Sequence, residues 1–449
     1  MSRWLLLPAL LLAPFFTLRA AELPPPQTWD APSAVAYALR NSPDSRIAAA
    51  RIGEAEAMLR QAGAADYPRL SLAAGYTQTD NPMYSFGNIL NQGAFTPSID
   101  FNDPGRTDNL NLTASARYRL YNGGRDQARQ QAAREGIKAA QAAEGEVRQQ
   151  LEQAVFRAYQ HMVDTRRLIA AREKTLEAIR SSLAVARARF NAGDLLRVDL
   201  LNLEVQESQA RENLIQAQHD DQLARRIFLR LLGLPEGEVV LASESPAPVV
   251  PDQPDISRRP ELERIEAELA AATAQVREAR GGYLPTVDGV ASYQFDQGGE
   301  TGGEGDSWLA GLQVSFNLFD GHLTAGRVAQ ARSRLTRLRA ERDKLVLQLN
   351  YELTRARLNL EQAEQRLEVT RKLLEQATES EHLSRAQFKA GVILVSDLID
   401  SENRLIDARI RNLLAESRVR IAVAELRVAA GLPIFPDKDA PGLRTAITD

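Results

Sequence analysis

The side chains able to do chemistry in this sequence are few and scattered. Its four histidines, His161, His219, His322 and His382, are far apart and never paired at metal-ligand spacing, so they read as surface or seam residues. Cysteine is absent, which removes disulfides, thiolate metal sites, a thiol nucleophile and a lipid-modified N-terminal cysteine. Gly123-Gly124-Arg125 opens a helical stretch where amides can hold an anion, yet no phosphate-loop lysine accompanies it, and a strand-to-helix turn is the better reading. Gly302-Gly303-Glu304-Gly305-Asp306 resembles calcium-binding Gly/Asp repeats in composition only; as a single imperfect copy it is expected to be a flexible exposed hairpin loop. No nucleophile, base and oxyanion donor can be grouped, so no enzyme, cofactor or metal is expected. The net charge of −4 argues against a nucleic-acid partner, which needs a basic face.

One acidic, glycine-containing stretch stands apart because it occurs twice. Arg189 to Glu204 lies over Gln387 to Glu402 at a constant offset, Gly193 onto Gly391, with identity at Phe190/Phe388, Ala192/Ala390, Gly193/Gly391, Leu196/Leu394, Asp199/Asp397, Leu200/Leu398 and Glu204/Glu402. Gly193 and Gly391 can take the left-handed conformation that ends a helix. Asp199 and Asp397 follow just before apolar periodicity resumes, where a carboxylate can cap the next helix and complement its dipole. Each copy is therefore expected to be the tip of a helical hairpin.

The elements around the tips repeat as well. An alanine-rich helical pattern over 44–66 is stopped by Tyr67-Pro68, and alternation of Leu70, Leu72, Ala74 and Tyr76 with small polar residues predicts a strand at about 69–79. A loop is expected over 80–108. A second strand, about 109–121, alternates Leu110, Leu112, Ala114, Ala116, Tyr118 and Leu120 with polar partners. A membrane barrel strand demands such a dyad pattern, lipid on one side and lumen on the other. From Arg125 to Phe190 no proline interrupts an Ala/Gln/Arg/Glu-rich pattern, a helix of roughly 100 Å at 1.5 Å per residue. A returning helix runs from Asp199 to the stop signal Gly233-Leu234-Pro235, completing a hairpin over 125–232.

Then the order begins again. After a Pro- and Glu-rich segment at 235–256, strands are expected at about 285–296 and 307–319 and a second hairpin at 323–430, ending in Gly431-Leu432-Pro433. Its long helix carries a heptad of Val346, Leu353, Leu360, Leu367 and Leu374 with Leu349, Ala356, Ala363, Thr370 and Ala377 on the other seam. Glu381 and His382 interrupt it just before the tip. Residues 434–449 form a polar tail. At the other end, Arg3, the apolar run from Trp4 to Leu18 and small Ala20 and Ala21 form a signal peptide, 1–20, and no later stretch is apolar enough for a membrane helix. The halves are thus 21–234 and 257–433. Four strands cannot close a barrel, and half-paired edges cannot sit in lipid, so the chain must assemble with copies of itself.

In this arrangement the chain resembles the TolC family of outer-membrane efflux proteins, of the unlipidated type. The double repeat, the Tyr-Pro and Tyr-Leu-Pro starts of the strand pairs, the Tyr121-Asn122-Gly123 and Phe319-Asp320-Gly321 exits and the Phe-x-Ala-Gly tips carry the resemblance, which covers essentially the whole mature chain. It implies a mainly α fold with a membrane β-barrel: a homotrimer of twelve strands continued by a twelve-helix tunnel, with 235–256 and 434–449 in a belt near mid-height. It also implies an outer-membrane exit duct of a tripartite efflux or type I secretion system, in a Gram-negative bacterium, with a periplasmic adaptor and an inner-membrane pump as partners. Adaptor contact carries over to Ala192, Gly193, Asp194, Leu195 and Leu196 and to Ala390, Gly391, Val392, Ile393 and Leu394. Gate residues implied near the tips are Asp194, Asp199, Glu381 and Asp397. The alternative is a periplasmic coiled-coil scaffold or adaptor without a channel, which would show one hairpin followed by lipoyl-like and barrel segments.

Overall fold

A computed structural model describes residues 28–436; the expected signal peptide and most of the expected tail lie outside the described residues. The chain opens with β1 (Thr28–Trp29) and α1 (Ala31–Asn41), a helix that the sequence reading lacked. Asp30 starts α1 by accepting from the Ser33 amide at 2.8 Å, and Ser42 and Pro43 start α2 (Pro43–Gly63) in the same manner.

The strands are β2 (Arg69–Thr79), β3 (Thr107–Tyr121), β5 (Thr286–Gln297) and β6 (Glu304–Ser315), with the two-residue β4 (Val240–Leu241) between them in sequence. The strand expected at 307–319 therefore begins and ends earlier, and Phe316 to Phe319 lie outside it. The expected loop at 80–108 also needs correction, since it contains α3 (Pro82–Asn91). Its Asn and Pro, read as loop formers, are the helix start: Asn81 accepts from the Met83 amide at 3.1 Å with Pro82 in the first turn. Nor is 302–306 a free loop, because Glu304 to Asp306 pair in β6 and Thr301 donates to Gln92 just beyond α3 at 2.6 Å.

β2, β3, β5 and β6 make one antiparallel sheet in that order. Directly opposed residues share a face, so the register Leu72–Ala114–Tyr293–Trp308 marks an apolar face that runs unbroken across all four strands. On the other face Ser71 and Ser115 hydrogen-bond at 2.7 Å, and Asp296 accepts from Asn109 and Asn111 at 2.6 and 2.8 Å. Among the described residues nothing covers the apolar face: Leu72 is 80% and Trp308 77% exposed. Among the described residues the sheet is open, with β2 and β6 as its edges, and does not close into a barrel.

The helices hang from the sheet. α4 (Arg125–Asn191) and α7 (Leu323–Lys389) are each 67 residues, hence roughly 100 Å long. α5 (Arg197–Leu232) and α8 (Val395–Ala429) return from the tips, and α6 (Pro260–Arg280) precedes the second strand pair. Both α2 and α5 pack along α4, and both α6 and α8 pack along α7. The end of α8 abuts the start of α6 at Gly431, where φ is 71° and a Cβ would stand 2.4 Å from the Arg258 carbonyl. Only glycine fits there. Gly233 has the same place between α5 and α2, with a milder approach of 3.0 Å to Asn41.

At this mid-height junction lies the largest apolar core. Trp29, Phe156, Tyr159, Phe228, Leu232, Val239 and Ile434 are buried together, bringing the first described residues, the inter-half segment and the start of the tail to one level. β1 pairs in parallel with β4 here, and Arg427 donates to the Val249 and Pro433 carbonyls at 2.9 and 2.7 Å. Beside it, the heptad of α7 is buried as its spacing requires: Leu353, Ala356, Leu360 and Ala363 pack on Ala422, Val423 and Leu426 of α8.

Candidate functional site at the hairpin tips

Both tips form by the same chain chemistry. Gly193 (φ 85°) donates to the Phe190 carbonyl at 3.0 Å and Asp194 to Arg189 at 2.9 Å; Gly391 (φ 76°) donates to Phe388 at 3.0 Å and Val392 to Gln387 at 2.9 Å. This pair of bonds satisfies the last carbonyls of each long helix and turns the chain in one residue. Leu196 and Leu394 then stand extended before the returning helices, which begin at Arg197 and Val395. Asp199 and Asp397 are therefore third in their helices and not at the cap position that the sequence suggests. From there the Asp397 carboxylate accepts from the Leu394 amide at 3.3 Å and still offsets the dipole.

The two tips share one small core. Leu183, Ala186 and Leu203 of the first hairpin are buried with Phe388, Val395 and Leu398 of the second, and Leu195 and Ile393 flank them. Leu196, Val392 and Leu394 remain 69%, 72% and 70% exposed, an apolar fringe at the far end of the molecule. Ala192, Gly193, Asp194, Ala390 and Gly391 are exposed beside them.

Of the four carboxylates singled out as gate residues, only Glu381 enters a charged cluster. It pairs with Arg385, which also reaches Glu402 at 3.1 Å, and Glu402 in turn accepts from the Ser182 hydroxyl of α4 at 2.9 Å. Burial pushes the Glu402 carboxyl above the usual carboxylate range, with Ser182 and Arg385 drawing it back and Glu381 adding to the rise. Asp194 and Asp397 are exposed and Asp199 half-buried, each on its own turn. A second link joins the hairpins, since Arg189 donates to the Phe388 carbonyl at 3.3 Å with its guanidinium 5.4 Å from the Phe388 ring.

Ser182, Arg385 and Arg189 were missed in the sequence reading, and Glu402 was noticed as a repeat identity without a role. Arg187 and Arg385 stand at the same offset as Glu204 and Glu402, a signal that extending the repeat comparison upstream would have found. Arg189 has no such signal, because glutamine, Gln387, stands at its counterpart.

Among the described residues no group of three His, Cys, Asp or Glu is placed for a metal ion. No described helix is long and apolar enough to cross a membrane. An open sheet with one apolar face, joined to helices of roughly 100 Å that end in bare turns, has the form of a membrane-channel protein. The profile of the outer membrane efflux protein family matches residues 34–234 and 255–432, and the chain belongs to that family. It is 28% identical to Protein CyaE of Bordetella pertussis, over 89% of this chain and 83% of that one. It is 25% identical to the outer membrane efflux protein BepC of Brucella suis, over 58% of each chain. The fold superposes on the outer membrane protein VceC of Vibrio cholerae with a TM-score of 0.75, at 20% identity, over 90% of this chain and 97% of that one. The protein is thus an outer-membrane protein of the Gram-negative envelope that reaches through the periplasm, and its family and fold are those of passive channels.

Proposed function

We propose that three copies join edge to edge, β6 of one to β2 of the next, into a twelve-strand barrel continued by a twelve-helix tunnel. The observation that supports this most is the open four-stranded sheet, whose apolar face and two free edges are unsatisfied in a single chain. In this reading 21–234 and 257–433 are structural repeats, each giving two strands and a hairpin, and 235–256 with 434–449 forms the mid-height belt. The assembly is the exit duct of a tripartite efflux or type I secretion system. A periplasmic adaptor docks on the tips through Ala192 to Leu196 and Ala390 to Leu394, where Leu196, Val392 and Leu394 offer exposed apolar contact. An inner-membrane pump drives the cargo, and the duct itself conducts passively.

The gate in this reading centres on Glu381 and the Arg385–Glu402 pair, with Asp194, Asp199 and Asp397 as lesser contributors on the exposed turns. Insertion of the purified protein into planar bilayers tests the duct. Discrete ion conductance is expected, rising when Arg385→Ala loosens the tips. A protein recovered only from the soluble periplasm, and without conductance in either form, would refute the reading.

A further inference from the structure

The tip cluster exists twice in sequence but is completed only once in the chain. Ser182, Arg187 and Glu204 have counterparts in Ser380, Arg385 and Glu402 at the offset that relates Gly193 to Gly391. Within the chain, α4 supplies Ser182 to Glu402 of α8, beside Arg385. The matching pair, Arg187 and Glu204, is formed at 3.0 Å with side chains 58% and 40% exposed, and the serine beside it, Ser208, donates to the Glu204 backbone carbonyl at 3.0 Å and not to the carboxylate. Ser380, the residue equivalent to the missing donor, lies exposed on the far side of α7.

The surrounding faces follow the same logic. Gln160 and Thr175 of α4 are 2% and 7% exposed; their counterparts on α7, Leu358 and Leu373, are 59% and 38% exposed. Leu413 of α8 is half-buried, whereas its counterpart on α5, Ile215, is 60% exposed. So α7 carries an uncovered version of the α4 face, more apolar than the original, and α5 an uncovered version of the α8 face. Two surfaces that are complementary within the chain, each exposed once more at opposite edges, describe a head-to-tail contact between identical copies.

We infer that the outer face of α7 in one copy seats on α5 of the next, with the Ser380 hydroxyl donating to the neighbour's Glu204 carboxylate as Ser182 donates to Glu402 within the chain. The inference rests on the ring of copies proposed above and adds its register at the tunnel end. Three Ser–Glu–Arg clusters then lie within subunits and three between them, alternating around the ring. The two kinds differ in charge. Leu183 stands where the second hairpin has Glu381, so the cluster between copies pairs one arginine with one carboxylate, while the cluster within the chain surrounds Arg385 with two.

Because the chain has no cysteine, introduced thiols report without background. The full-length protein with Ser380→Cys and Glu204→Cys, treated in membranes with a short thiol-to-thiol crosslinker, is expected to give covalent dimers and trimers. Ser182→Cys with Glu402→Cys is expected to crosslink within single chains. Ser380→Cys with Ile215→Cys, shifted roughly 16 Å along α5, is expected to give neither. A trimeric native mass with no interchain product from the first pair, or with product from the shifted pair, would overturn this register and leave the ring standing. A monomeric native mass would remove the ring itself. Should the double variant fail to reach the membrane, a photo-crosslinking residue at 380 alone gives the same reading: an adduct on the peptide containing Glu204 is expected, and an adduct elsewhere overturns the register.

Discussion

The two hairpin tips contain the same glycine turn and the same arginine–glutamate pair, yet one pair is sheltered and the other bare. Arg385 and Glu402 have side chains 29% and 8% exposed; Arg187 and Glu204, at the same separation, are 58% and 40% exposed. Residue type does not account for this, since the pairs are identical. Position does: α4 lies against α8 and covers Glu402, while no described element of the chain covers α5 in the same way. On the proposed assembly, one chain is a fragment of a closed surface, and exposure at its edges records the place of a neighbour.

The largest effect should come from removing what the tips share. Gly193→Pro with Gly391→Pro demands φ near −65° where the backbone holds 85° and 76°, and deletes the amide that each glycine donates to the end of its long helix. The tips lie far from the sheet, so membrane insertion should persist while export is abolished. Unchanged drug tolerance or secretion in cells carrying this variant would remove the tips from transport.

Next comes the contrast between the pairs. Arg385→Ala leaves a buried carboxylate without its cation, a change that costs about 3 kcal/mol. Arg187→Ala breaks an exposed pair and should cost less than about 1 kcal/mol in dissociated chains. Denaturant unfolding of detergent-dissociated protein measures both; equal costs there would erase the distinction. In the proposed assembly, where a neighbour would cover Glu204, the Arg187→Ala cost should rise toward that of Arg385→Ala.

A smaller effect concerns acidity. Since burial raises the Glu402 carboxyl above its unfolded value, the folded chain binds that proton more tightly than the unfolded chain does. The resulting stability is full below the ordinary glutamate range and is lost as pH rises through the raised value. Glu402→Gln should flatten this dependence. Thermal unfolding followed across that range decides it, and an identical slope in wild type and Glu402→Gln would contradict the assignment.

Much of the architecture was legible because its signals are periodic. The seven-residue spacing from Val346 to Leu374 fixes which side of α7 meets α8, and the alternation from Leu110 to Leu120 fixes which residues share a sheet face. α3 was not legible, because Asn81 and Pro82 serve loops and helix starts equally and only ten residues follow to show a period. At the tips the glycines could be read directly, since a turn of this kind needs a left-handed residue. The side chains around Glu402 could not, because they come from three helices: Ser182 lies 220 residues from Glu402 in sequence, and no local pattern reports a contact across that distance. Asp199 and Asp397 show the limit of local reasoning from the other side, as both lie near helix starts but three residues inside the cap position.

In the proposed assembly the open sheet and the bare α5 and α7 faces are closed by copies of this same chain. Native mass spectrometry of the protein released from lipid tests it most directly. A single species of three chains, falling to one chain only on denaturation, is the predicted result. A stable, folded single chain as the native form would contradict the account.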